Sequence, residues 1–214
     1  MCSSDLDANG PMLEVLLDAA GVDIVQRAVL PDDRTEIDAR LREAAEADLI
    51  VTSGGVSVGE ADLVRAGVEA LGRIDHWRIF LKPGKPLAIG EVLGTPFLGL
   101  PGTPSAAMIS FELYARPVIR RLGGQQPYSL LTVDGRLSSE VKKNAKKTRW
   151  LTVRRGSQDE DPWRFDVCRT AGGGLRDMVE IDGLAEIGPG AGVVGNSDQV
   201  PIHLLDKAFS GGNG

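Results

Sequence analysis

The chain has 214 residues, 42% of them hydrophobic and 25% charged, with a formal net charge of −6, an ordinary globular composition that excludes a disordered or low-complexity polymer. The imbalance lies in residues 1–124, which hold 18 acidic and 12 basic groups against 12 of each beyond; a net-acidic chain is a poor match to nucleic acid, whose binding rests on neutralised phosphates. No apolar run reaches the length of about 18 residues that a membrane helix needs, and the polar opening Met1-Cys2-Ser3-Ser4-Asp5 is no signal peptide.

The isolated Cys2, Cys168, His76 and His203 offer no zinc or iron–sulfur spacing. The chain therefore reads as cytosolic, contacting neither nucleic acid nor membrane. Since a typical domain holds about 100–200 residues, the length fits one large or two small domains, and the change of pattern described below favours two.

In chain order, Asn9-Gly10-Pro11 predicts a turn, followed by an amphipathic helix on Met12, Leu13, Leu16, Leu17 and Ala20 that Gly21 ends. Ile24, Val25, Ala28 and Val29 predict a strand. Pro31-Asp32-Asp33 then turns into a second helix with Ile37, Leu41, Ala44 and Ala45 on one face. Asp33 and Glu36 have the spacing of a capping box, which leaves Asp32 available for other work.

The stretch Leu49–Asp62 is the one around which the chain is organised. Leu49, Ile50 and Val51 predict a buried parallel strand, and Leu63, Val64, Val68 and Leu71 recur at helical spacing beyond it. Between them, Gly54, Gly55 and Gly59 sit at a strand-to-helix junction, where bare amides and positive φ suit an anion. The spacing is neither a P-loop nor a dinucleotide fingerprint. Close packing of helix on strand is the alternative use of such glycines.

Trp77–Leu81 predicts a strand running into Lys82-Pro83-Gly84-Lys85-Pro86, whose two ammonium groups either face an oxyanion or are solvated loop lysines. Leu87-Ala88-Ile89 and Phe97-Leu98-Gly99-Leu100 predict paired strands with a turn at Gly94. Pro101-Gly102-Thr103-Pro104-Ser105 again joins a strand end to a helix, a second place for an anion. That helix runs to Leu122 with a kink at Pro117. Alternation of strands and helices predicts an α/β domain, a mostly parallel sheet flanked by helices over residues 1–124, with ligands gathered where strands end.

Gly123-Gly124-Gln125-Gln126-Pro127 breaks the pattern. Leu130–Val133, Trp150–Val153, Arg164–Val167 and Gln199–Ile202 are short β-like runs between glycine-rich turns, which predict a small all-β, barrel-like domain over 125–209. The basic cluster Lys142, Lys143, Lys146, Lys147 and Arg149 lacks interleaved aromatics and reads as a solvated loop. The tail 210–214 is expected to be disordered.

Four stretches carry a further signal together: Asp7-Ala8-Asn9-Gly10-Pro11-Met12-Leu13, the glycine motif from Thr52 to Asp62, Lys82-Pro83-Gly84-Lys85-Pro86, and Gly99-Leu100-Pro101-Gly102-Thr103-Pro104. In order and spacing they resemble the molybdopterin molybdotransferase family, the MoeA and gephyrin E-domain group of molybdenum-cofactor biosynthesis. The resemblance is strong over 7–124, which looks like a MogA-like molybdopterin-binding domain. It is weaker over 128–207, which looks like the family's C-terminal β-barrel domain.

The resemblance implies a transferase that takes adenylylated molybdopterin and molybdate to molybdenum cofactor and AMP, with Mg2+ held by carboxylates. By position it implies Asp62 and Asp32 as catalytic and metal-holding residues. It implies substrate binding by Gly54, Gly55, Ser57, Gly59, Lys82, Lys85, Pro101, Gly102, Pro104 and Ser105. Thr103 stands where the family usually has Asn, and Ala8 where it usually has Ser. In the family, a strand ending in a Thr-Gly-Asp-Glu-type loop and two further N-terminal domains precede the Asp-x-Asn-Gly segment. Neither is in this chain, so the resemblance is to a C-terminal fragment with impaired turnover. It further implies a homodimer when full length and an encounter with the molybdopterin adenylyltransferase. That smaller enzyme and a non-catalytic, gephyrin-like scaffold are the two alternative readings.

Overall fold

The structure, a computed structural model, describes residues 7–54, 63–77, 81–82, 87–156, 163–168 and 181–206, and for Trp77, Leu81 and Lys82 the backbone alone. The chain divides into two compact units, Met1–Ile79 with Gly84–Tyr128, and Phe80–Pro83 with Ser129–Gly214. The tail expected to be disordered lies outside the described residues. No helix of the described residues is long and apolar enough to cross a membrane.

The first unit opens with α1 (Asn9–Asp18) and α2 (Arg34–Ala44). Where the sequence predicts a turn at Asn9-Gly10-Pro11, the helix has already begun. Asp7 makes this possible, since its Oδ1 accepts from Gly10 N at 2.8 Å and serves one of the otherwise unpaired first-turn amides. A Cβ on Gly10 would stand 2.2 Å from that carboxylate, so a larger residue there would push the Asp7 side chain aside.

At α2, Asp33 is the N-cap, extended at φ −124°, and accepts from Glu36 N at 2.9 Å. Half of the expected capping box is present. The Asp33 amide donates to Pro31 O instead.

The strand predicted on Ile24–Val29 does not form a ladder among the described residues. Val25 and Val29 are about three-quarters exposed, and Arg27 pairs with Asp7 and Glu14 near α1. β propensity alone does not create a strand without a neighbouring strand to pair with.

Then follow β1 (Ile50–Ser53), α3 (Leu63–Leu71), β2 (Gly72–Trp77), β3 (Leu81–Lys82), which belongs to the second unit, β4 (Ala88–Val92) and β5 (Thr95–Leu100). Of the strand expected at Trp77–Leu81, Trp77 ends β2 and Leu81 begins β3, and the residues between them lie outside the described ones. Four strands form one sheet in the order β1-β5-β4-β2. β1 is parallel to β5, whereas β5 with β4 and β4 with β2 are antiparallel.

The expectation of a mostly parallel sheet is corrected accordingly: among the described residues this sheet is mixed. The cause is local. Leu93 and Gly94, at φ 50° and 90°, make a two-residue turn that returns the chain at once as a hairpin, with no crossover helix. Helix α3 lays Val68 and Leu71 on Ala88, Val92 and Phe97, joined by Ile37, Leu41 and Ile50, to form the core of this unit. Each such side chain is worth about 1.5–3 kcal/mol when buried.

From β5 the chain enters α4 (Pro104–Ser110), a π-helical turn (Phe111–Ala115) and α5 (Arg116–Leu122). Pro117 has no N–H to give and its ring crowds the carbonyl four residues back. The π turn stands at that place, and Arg116 N reaches Phe111 O. A π turn is thus found where the sequence predicts a kink at Pro117.

The second unit contains β6 (Leu131–Leu137), β7 (Val141–Lys142), β8 (Thr148–Arg155), β9 (Arg164–Val167), β10 (Gly183–Ile187), β11 (Val193–Val194) and β12 (Gln199–Leu204). Five of them close on themselves in the order β10-β12-β6-β9-β8 and back to β10, a small barrel, with β3 beside β8. Leu137, Val153, Phe165, Ala185, Ile187 and Ile202 fill it. Gly135 faces Phe165 and Ile202, where a Cβ would come within 2.8 Å of both. At the basic loop, Asn144 Oδ1 accepts from the amides of Lys146 and Lys147, and Arg149 Nη1 donates to Lys142 O.

Candidate functional site

β1 and β5 lie parallel, with Ser53 opposite Leu100, so both strands end at the same edge of the sheet. That is where open α/β sheets collect ligands. Beyond the ladder, Gly54 N donates to Leu100 O at 3.2 Å, which carries the parallel pairing one residue past the strand. Gly54 then turns at φ +79°, a conformation that suits glycine.

A Cβ on Gly102 would lie 3.5 Å from Gly54 Cα. The chain leaving β1 and the chain leaving β5 are therefore in van der Waals reach of each other.

The second of these chains is Pro101-Gly102-Thr103, in which Pro101 is buried and Gly102 and Thr103 are exposed. Thr103 is the N-cap of α4, with Pro104 among the first helical positions and Ser105 half-buried behind it. The Thr103 side chain makes no capping bond. The first-turn amides of α4 are thus not served by the residue type that usually serves them.

A third segment joins the two. Asn9, the first residue of α1, donates from Nδ2 to Ser53 Oγ and to Gly102 O, both at 2.7 Å. Ser53 Oγ in turn lies 3.4 Å from Pro101 O. Thr52 Oγ1 and Asn9 Oδ1 are shut off from solvent and have no hydrogen-bond partner among the described residues.

Of the residues expected at a site, the structure brings Gly54, Pro101, Gly102 and Pro104 to this edge, with Ser105 one residue into α4. Asp32 is exposed, just ahead of the cap of α2. Lys82 is described in its backbone only, as part of β3 beside β8. Gly55, Ser57, Gly59, Asp62 and Lys85 lie outside the described residues.

Three residues at this edge were not singled out from sequence: Asn9, Thr52 and Ser53. The sequence marks Asn9 as a turn former within the Asp7–Leu13 stretch, and Thr52 and Ser53 as the strand end that opens the glycine motif, with no site role for any of the three. The available signal was that a strand ending in two hydroxyls places one of them on each side of the sheet.

Among the described residues no three of His, Cys, Asp and Glu are grouped so as to hold a metal ion. The edge is built of backbone amides, carbonyls, hydroxyls and one carboxamide. Such a surface binds a polar, multiply oxygenated ligand by hydrogen bonds without a side-chain nucleophile.

The family model described as "Probable molybdopterin binding domain" matches residues 3–121. The molybdopterin molybdenumtransferase of Haemophilus influenzae is 39% identical over 123 residues, which are 57% of this chain and 30% of that protein. The molybdenum cofactor synthesis protein cinnamon of Drosophila melanogaster is 38% identical over 120 residues, 55% of this chain and 20% of that one. The chain thus matches less than a third of the length of these relatives.

Among solved structures, the MoeA protein of Pyrococcus horikoshii superposes with a TM-score of 0.77 at 26% identity, over 92% of this chain and 48% of that one. With the matched span covering more than half of its residues and including every element of the sheet edge just described, the chain belongs to the molybdopterin-binding domain family.

Proposed function

We propose that the chain is the molybdopterin-binding and barrel portion of a molybdopterin molybdotransferase, which joins molybdate to adenylylated molybdopterin and releases AMP. The observation that carries this reading is the meeting of the ends of β1 and β5 under the Asn9 carboxamide. The substrate presents phosphates and an oxyanion, and its dithiolene already holds the sulfur atoms that molybdenum requires. The protein is then asked for positioning and hydrogen bonds rather than for a nucleophile.

In this reading the amides of Gly54, Gly55 and Gly59 with the Ser57 hydroxyl hold the phosphate side of the ligand. Lys82 and Lys85 offset the charge of phosphate or molybdate. Pro101, Gly102, Pro104 and Ser105 shape the facing wall.

Asp62 and Asp32 are the carboxylates that would meet a hard cation such as Mg2+. Of the two, the structure describes Asp32 alone, and the described residues do not by themselves form a cation site. No step of the reading therefore runs through a metal. A homodimer of the longer protein and delivery of the ligand by an adenylyltransferase belong to the same proposal.

Calorimetric titration of the chain with adenylylated molybdopterin and Mg2+ tests it, with circular dichroism to establish folding. The expected result is saturable binding that Asp62→Asn weakens by about tenfold, the size of one lost interaction with a charged group. A folded chain with no saturable binding would refute the reading for this portion of the protein. Capture of a peptide by such a chain would favour the scaffold reading in its place.

A further inference from the structure

Asn9 makes contacts that its place in the sequence does not call for. It stands at the first position of α1, and the first-turn amide of Gly10 is already served by Asp7. The carboxamide is therefore free of capping work. It reaches Ser53, 44 positions away, and Gly102, 93 positions away, each at 2.7 Å.

The chemistry of the partners determines which way the carboxamide faces. Gly102 O can only accept, so the atom next to it must be the nitrogen. Both N–H groups of Nδ2 are then committed, one to Gly102 O and one to Ser53 Oγ. The Ser53 hydroxyl can pass its own hydrogen on toward Pro101 O, 3.4 Å away.

The result is a ring of bonds through three chain segments: the start of α1, the end of β1 and the loop after β5. With the nitrogen so placed, Oδ1 faces the other way. It is closed to solvent and has no partner among the described residues. Thr52 Oγ1 is in the same condition one residue before Ser53. A buried acceptor left unpaired is unfavourable, so its persistence at a site is an observation to be explained.

We propose that Asn9 is the positioning residue of this edge: its Nδ2 holds the ends of β1 and β5 in a single register, and its Oδ1 is presented to an N–H of the ligand. The proposal rests on the reading given under Proposed function. It adds the part of the substrate concerned, because a pterin ring carries amino and lactam N–H donors of the kind that Oδ1 lacks. The phosphate side is then left to the glycine amides.

Asn9→Asp tests this with little change of volume, since it keeps an acceptor at Oδ1 and replaces the nitrogen by oxygen against the Gly102 carbonyl. Hydrogen exchange of the unliganded chain is the first measurement. The expected result is faster exchange at Gly54, whose amide donates to Leu100 O, with α1 and the rest of the sheet unchanged. Unchanged exchange at Gly54, or a loss spread evenly over α1 and the sheet, would overturn the assignment. The latter is what a merely structural role would produce.

Calorimetry with adenylylated molybdopterin is the second measurement. Asn9→Ala, which loses Nδ2 and Oδ1 without adding a charge, is expected to weaken binding by about tenfold or more. Unchanged affinity of Asn9→Ala would overturn the role given to Oδ1. If the wild-type chain does not bind, the functional reading fails, while the exchange measurement still decides the positioning role of Asn9.

Discussion

Glu112 and Arg116 show what a single pair of residues contributes when water is excluded. Both side chains are 2% exposed, and the guanidinium meets the carboxylate through Nε at 2.5 Å and Nη2 at 2.8 Å. Arg116 also lies over the Phe111 ring, 5.5 Å from its centre. Breaking such a pair on one side leaves an unpaired buried charge, which costs about 3–5 kcal/mol, whereas replacing both partners by apolar groups is often neutral or stabilising. Arg116→Met is therefore expected to lower unfolding stability by about that amount, and Glu112→Leu with Arg116→Met to recover most of it. Urea denaturation of the four members of the cycle checks this, and a double variant no more stable than Arg116→Met would refute it.

Asp33 and Asp32, neighbours in sequence, differ in the same physical way. The first is occupied with Glu36 N at the start of α2, and the second is exposed ahead of it. A cap is readable from local sequence because its partner is three residues away. A partner 93 residues away, as for Asn9, is not.

At the scale of elements, the β4–β5 hairpin places a residue under strain. Leu93 sits at φ 50° with its side chain more than half exposed, and its amide donates to Leu71 O at 3.0 Å. Left-handed backbone is unfavourable for a leucine and tolerated by Asn, and Asn-Gly is the preferred pair for a two-residue hairpin turn of this kind. Leu93→Asn keeps the amide bond and is expected to raise stability by about 1 kcal/mol, read as an increase in the urea midpoint at constant slope. A lower midpoint would mean that the exposed Leu93 side chain contributes packing the structure does not show.

Element boundaries followed the same distinction between local and distant causes. The helix of Leu63–Leu71 and the turn at Gly94 were readable from periodicity and glycine. The pairing of β2 was not, because Gly72 and Gly90 permit a backbone approach in which a Cβ would stand 2.0 Å from Glu91 O or 2.1 Å from Arg73 O. That closeness is a property of two strands together.

Among the described residues, the core on α2, α3 and the mixed sheet and the core inside the barrel have no residue in common. Phe165 is fully buried in the second. Phe165→Ala is expected to cost about 3–5 kcal/mol, which corresponds to exchange faster by about two to four orders of magnitude for the amides of β6, β8, β9, β10 and β12. The amides of β1, β4 and β5 are expected to keep their protection, measured by hydrogen exchange under the same conditions. Equal loss in both units would show that they unfold as one.

By itself, the sequence determined that an α/β pattern gives way to a β pattern, the principal helices, most barrel strands, and the glycine- and proline-rich ends of two strands. These are local matters of periodicity, turn chemistry and spacing. Tertiary structure decided which strands pair and in which direction, that the segment at Ile24–Val29 has no ladder among the described residues, that the barrel closes, and that Asn9 joins two strand ends. Each of these is a contact between segments far apart in sequence, whose geometry is set by the packing of both partners and is written in neither alone.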